Sequence, residues 1–147
     1  MRKAIELQPG AAGHHTQLAI IAIQRGDAKG ALAAAQQEPA AGGPWQQIAL
    51  ALAQQVSGNR AAADTALQTL IDTHSNAAAY QIAQVYALRK DADNMFAWLD
   101  RAWANRDPGI RQLLYDSFIL RYKDDPRFAA FCRKVGLPTT TTAKAMP

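Results

Sequence analysis

Ile48-Ala49-Leu50-Ala51-Leu52-Ala53-Gln54-Gln55-Val56-Ser57-Gly58-Asn59-Arg60-Ala61-Ala62-Ala63 reads as one helix, a glycine turn and the start of a second helix. Apolar side chains recur at helical spacing as far as Val56, Ser57-Gly58-Asn59 interrupts them, and alanines resume the pattern. The same order returns 32 residues upstream and 32 residues downstream. Leu18, Leu50 and Ile82 share one column, and Ala19, Ala51 and Ala83 the next. Ile21, Ala53 and Val85 follow, then Gly26, Gly58 and Lys90 at the turn, then Ala31, Ala63 and Met95. Ala35, Leu67 and Leu99, and finally Glu38, Leu70 and Ala102, complete the pattern. A fixed period of this size marks a solenoid of stacked supersecondary units. The alanine columns let helix axes approach closely, while Leu50, Leu67 and Leu70 fill what remains. Each unit leaves an apolar face that only a neighbour covers, so both ends of the stack need caps.

Outward from these units the chain continues in helices. Lys3 to Leu7 reads as the last turns of a helix closed by Pro9 and Gly10. The hairpins are expected over about 12–38, 44–74 and 76–106, with Pro44 at a first helical position and Ser75 or Asn76 as the cap of the third unit's first helix. Asp107-Pro108 and Asp125-Pro126 each open a shorter capping helix within 108–137. Phe128, Phe131, Cys132 and Val135, at i, i+3, i+4 and i+7, form the face that packs the last of these on the stack like a lid. Residues 1–138 thus form one domain, followed over 139–147 by a tail with little to bury and expected to be disordered. Trp98 and Trp103 are expected in the core, under Phe118 and Phe128.

Bulk properties agree with an all-α class. At 147 residues the chain has the length of one domain, and charged residues are only 19% of it, with alanine and glutamine abundant in place of alternating Val/Ile/Thr runs. The longest apolar run, Leu18 to Ile23, is far short of the ~20 residues that span a bilayer. The first residues lack the apolar stretch and cleavage site of an export signal, and the single Cys132 fits a reducing compartment. A cytoplasmic protein with no membrane partner is expected. Basic residues concentrate late: 7 basic against 8 acidic side chains over 1–100, but 9 against 4 over 101–147. They are scattered, which points to a solvated surface, and nucleic acid is disfavoured as a partner. Were it bound, Arg121, Lys123, Arg127, Arg133 and Lys134 would carry the contact.

The columns resemble the tetratricopeptide repeat. In the first unit Leu18-Ala19, Gly26 and Ala31 match. In the second, Leu50-Ala51, Gly58, Ala63, Leu67 and Leu70 match, and in the third, Ile82-Ala83, Tyr86, Leu99 and Ala102, with Ala4 and Pro9 similar to the end of a preceding unit. The period departs from the usual 34 residues, His15, Gln47 and Ala79 stand where the repeat carries an aromatic, and Lys90 and Met95 replace glycine and alanine. Further on, Tyr86-Ala87-Leu88, Trp98-Leu99-Asp100-Arg101-Ala102, Arg106-Asp107-Pro108-Gly109, Asp125-Pro126-Arg127-Phe128 and Gly136-Leu137-Pro138 resemble the closing segment of large bacterial signalling proteins. In those proteins a repeat array follows a nucleotide cyclase, a winged-helix regulator or a kinase. The resemblance implies a right-handed α-α superhelix of about three hairpins plus capping helices, forming the C-terminal part of a larger regulatory protein.

It also implies an inner groove, lined by fixed positions of each unit's first helix. Those positions hold Gly13, Thr16, Ile20 and Ile23; Trp45, Ile48, Leu52 and Gln55; and Ala77, Tyr80, Gln84 and Ala87. An apolar trough with amide edges and Trp45 and Tyr80 as anchors suits a peptide or helix from a protein partner. Coverage of the same trough by the chain's own N-terminal helix or closing segment stays open, as do a small apolar ligand between groove and closing helices, a purely structural scaffold and a homo-oligomer. Chemistry is not expected. The chain has no phosphate loop, nucleophile elbow, zinc-protease motif or dinucleotide fingerprint. His14 and His15 are adjacent and diverge, which leaves no metal pair, and no cofactor is implied.

Overall fold

The computed structural model describes residues 2–8 and 10–139, and among them every regular element is helical and no strand occurs. After a short α1 (Arg2–Leu7), α2 (His14–Gln24) pairs with α3 (Ala28–Gln37), α4 (Trp45–Val56) with α5 (Arg60–His74), and α6 (Ala79–Leu88) with α7 (Ala92–Ala104). α4 lies against both α2 and α3, and α6 against both α4 and α5, so each hairpin nests in the one before it. The alanine columns make that possible: Ala19, Ala31, Ala51, Ala63 and Ala83 are fully buried. A larger side chain at Ala51 would force the helices apart, at about 1–3 kcal/mol.

The turn column has one conformation in all three hairpins. Gly26 and Gly58 take φ of 76° and 78°, and Lys90, the departure from glycine, takes φ of 60°. The next residue closes each turn: Asp27 donates its N–H to the Ala22 carbonyl at 2.9 Å, Asn59 to Gln54 at 3.0 Å and Asp91 to Tyr86 at 3.1 Å. This is the left-handed helix ending that glycine adopts freely and other residues adopt at a cost. Asp27 and Asp91 then accept the N–H of Gly30 and Asn94, starting α3 and α7. At Asp91 the bonds from Asn94 also hold the carboxyl below the usual carboxylate range.

Beyond α7 the chain is not a further hairpin. Arg106 ends α7 in the same left-handed conformation, with φ of 56°. The chain then runs through two 3-10 segments, Pro108–Tyr115 and Ile119–Tyr122, before α8 (Pro126–Val135). Only α8 is an α-helix within the expected capping region. It buries Phe128, Phe131 and Cys132 and lies along α7. Arg127 reaches Asp93 at 2.6 Å and sits over the Phe96 ring, and Lys134 reaches Asp100 at 2.9 Å. Arg127 also binds Asp125 and holds that carboxyl below the usual range. Burial pushes the Cys132 thiol up, which keeps it a packing group.

Three expectations need correction. Ser75 and Asn76 do not cap α6, which starts at Ala79 with no cap from its own flank. Trp103 is not core: α7 buries Met95, Phe96, Leu99 and Ala102, and one step past Ala102 turns Trp103 to the surface. Trp98 is half-buried, with the Arg101 guanidinium 4.8 Å above its ring. Most of the expected tail, 140–147, lies outside the described residues. No helix of the described residues is long and apolar enough to cross a membrane.

Candidate functional site

The inner face begins with the start of α2, where a carboxylate organises three elements. Glu38, the residue after α3, is buried, and its carboxylate accepts the backbone N–H groups of Gly13 and Thr16, each at 2.6 Å. The Thr16 hydroxyl lies 2.9 Å from the same carboxylate and 3.0 Å from the Trp45 carbonyl, so its one proton is shared between two acceptors. Gln46 donates to the Glu38 backbone carbonyl at 3.0 Å. The free N–H groups at a helix start favour a negative charge, and here that charge comes from the residue that follows α3. Thr16 and Trp45, expected to face a partner, therefore serve the α2–α3–α4 junction. The sequence carried one signal of this: Glu38 is the charged member of a column whose other members are Leu70 and Ala102.

At the far end the closing segment lies across the face. Asp116 is buried and accepts four donors: the Tyr80 hydroxyl and Gln84 Nε2, both at 2.8 Å, and the N–H groups of Phe118 and Ile119 at 2.9 and 3.4 Å. Asp107 accepts the Tyr80 N–H at 3.0 Å and the Gly109 N–H at 2.8 Å, supplying the start of α6 with the cap that Ser75 and Asn76 do not. Gly109 rests on the Tyr80 side chain so closely that a Cβ there would sit 2.6 Å from it. The Tyr122 hydroxyl donates to the Ala87 carbonyl at 2.7 Å, and Gln24 Nε2 to the Ser117 hydroxyl at 3.2 Å. The segment thus runs over α6 and reaches α2.

The expected groove residues separate accordingly. Ile48 and Leu52 are core, Ile23 is buried, and Tyr80, Gln84 and Ala87 lie under the closing segment. Gln55 is half-buried and Ala77 exposed. Ile20 keeps partial access, at a cleft of about 140 Å³ that it lines with Gln17, Gln24, Gln84, Gln112 and Tyr115. No continuous open trough joins the twelve positions: the Asp107 to Tyr122 stretch covers those of α6, Glu38 engages Gly13 and Thr16, and Ile48 and Leu52 lie in the core.

Burial, and then the neighbouring Asp116, push the Tyr80 hydroxyl far above its usual range, so it stays protonated and donates. Burial likewise pushes Tyr122 up. Among the described residues, no three His, Cys, Asp or Glu side chains are placed to hold a metal ion. Comparison with protein-family models, with curated proteins and with solved structures finds no match for the chain.

Proposed function

We propose that the chain is a non-enzymatic protein-interaction module of the tetratricopeptide type, a right-handed superhelix whose inner face is filled in cis by its own closing segment. In this reading it belongs to a larger regulatory protein and meets a protein partner through surfaces that the closing segment leaves exposed. The observation that carries it is Asp116: one buried carboxylate gathers Tyr80 and Gln84 of α6 and two amides of the closing segment, which supports coverage of the inner face at α6. A small apolar ligand fits less well, since the remaining cleft is small and edged by four glutamines. Nucleic acid also fits less well, since two of its five expected contacts, Arg127 and Lys134, are neutralised by Asp93, Asp125 and Asp100.

Affinity capture with the intact chain and with Ile20→Asp, combined with amide exchange, tests the proposal. Ile20 is the expected groove residue that combines partial exposure with a place at the cleft, and because it also packs against the core, circular dichroism first checks that the variant is folded. Equal recovery of a protein partner by both chains, with the Phe118 amide exchanging as slowly as those of α6, is the expected result. Loss of the partner in Ile20→Asp, or fast exchange at Phe118, returns the inner face to the partner.

A further inference from the structure

α7 ends at a cleft of about 550 Å³ lined by Trp103, Ala104, Arg106, Asp107, Pro108, Ile110 and Arg111. Its cations differ from three others of the basic C-terminal surface. Arg127 and Lys134 are ion-paired, and Arg101 lies over Trp98 and reaches Ser75 and Asn76. Arg106 and Arg111 are exposed and make no ion pair among the described residues. The one carboxylate in the cleft, Asp107, is buried and already occupied: one oxygen takes the Tyr80 N–H and the other the Gly109 N–H. Beside these two uncommitted guanidinium groups stands Trp103, 41% exposed, with Ile110, Pro108 and Ala104 as apolar walls.

The walls are fixed in place. The Arg106 N–H donates to the Trp103 carbonyl at 3.0 Å and the Asp107 N–H to the Ala102 carbonyl at 2.8 Å. Arg106 also occupies a left-handed position of the kind that Gly26 and Gly58 fill at other helix ends, an energetic cost that glycine would remove.

From the charge and shape of this cleft we infer that it is the docking site for an acidic peptide segment of a protein partner. Carboxylates of the segment meet Arg106 and Arg111, and an apolar side chain between them lies on Trp103. The inference rests on the interaction reading above and names the partner's chemistry. Planar guanidinium groups match carboxylates in pairs, and an indole offers a large apolar contact at low entropic cost. A nucleic-acid strand would need a line of cations along its backbone. The cleft offers two cations, bounded by apolar walls.

The test is a titration of the intact chain, followed through its indole N–H resonances, with a tryptophan-free peptide of glutamates interrupted by one leucine and one phenylalanine. Trp103→Phe assigns the reporter. The expected result is a saturable shift of the Trp103 signal with Trp45 and Trp98 unmoved, at least tenfold weaker binding when glutamines replace the glutamates, and a similar weakening in Arg106→Glu/Arg111→Glu. Both arginines are exposed, and circular dichroism checks that the double variant is folded; Arg111→Gln alone, with a smaller loss, is the second variant. An unmoved Trp103 signal, equal binding of the glutamine peptide, or tighter binding of oligothymidine than of the acidic peptide overturns the site. The titration bears on this cleft alone: a chain that fails it and still retains a protein partner keeps the interaction reading and loses this one.

Discussion

Glu38 and Asp116 solve one problem in two mechanical settings. Each is a buried carboxylate with no cation bonded to it among the described residues, and accepts N–H and O–H donors instead. Glu38 sits where α2, α3 and α4 converge, so its donors have nowhere to go. Asp116 sits in the link between the two 3-10 segments, where two of its donors belong to its own turn and two to α6. Between them the start of α4, preceded by Pro44, has no side-chain cap at all. The two ends of the stack are thus closed by charge and its middle by packing. A carboxylate stabilises most where its donors cannot be rehydrated.

The contrast predicts unequal costs. Glu38→Ala strands the amides of Gly13 and Thr16 in the interior, and should lower stability by about 2–4 kcal/mol in urea unfolding. Asp116→Ala should cost less, about 2 kcal/mol, because the closing segment can lift and let water reach Tyr80 and Gln84. Its signature should be local: faster amide exchange at Phe118 with Thr16 unchanged. If Asp116→Ala instead speeds exchange at Thr16 as well, the closing segment is part of one cooperative core and the contrast fails.

Alkaline titration sharpens the same point. The Tyr80 pKa is raised in the folded chain, so the fold holds a proton that the unfolded chain releases near pH ~10. Its contribution is fully present below that pH and is lost as pH rises above it. Thermal stability should therefore fall above pH ~10, and Tyr80→Phe should flatten that fall while costing about 1 kcal/mol at neutral pH from the lost bond to Asp116. The smallest effect is expected at the turn column. Lys90→Gly trades a left-handed lysine for a residue that is freer when unfolded, for a net gain of about 0.5 kcal/mol by thermal melt.

The sequence made the hairpins legible because their determinants are local and repeated. Ala51 and Ala63 are small where helices touch, and Gly58 turns where a helix ends. Even Lys90, the break in the glycine column, keeps the glycine's backbone shape. The closing segment was opaque for the opposite reason. Ile110, Leu113, Phe118 and Ile119 are buried without a helical period, and their course is set by Gly109 on Tyr80 and by Asp116 reaching residues 32 and 36 positions away. Asp107 misled in a related way. It was readable as the cap of its own segment, which it is, but nothing nearby showed that it also caps α6 from 27 residues away and leaves Ser75 and Asn76 without that role. Ten of the twelve groove positions lie on first helices, Gly13 and Ala77 just before them, and what covers Tyr80, Gln84 and Ala87 lies beyond the repeats.

The bond from Gln24 to Ser117 spans 93 residues, whereas Glu38, Asp107 and Asp116 join the inner-face helices across 22 to 36. A stack whose units touch only their neighbours can nucleate anywhere and fray from either end. A closing segment that reaches back to the first hairpin gives the array a memory of its own completion: a stretch that is synthesised after all three hairpins docks on a surface that only those hairpins, once assembled, can offer.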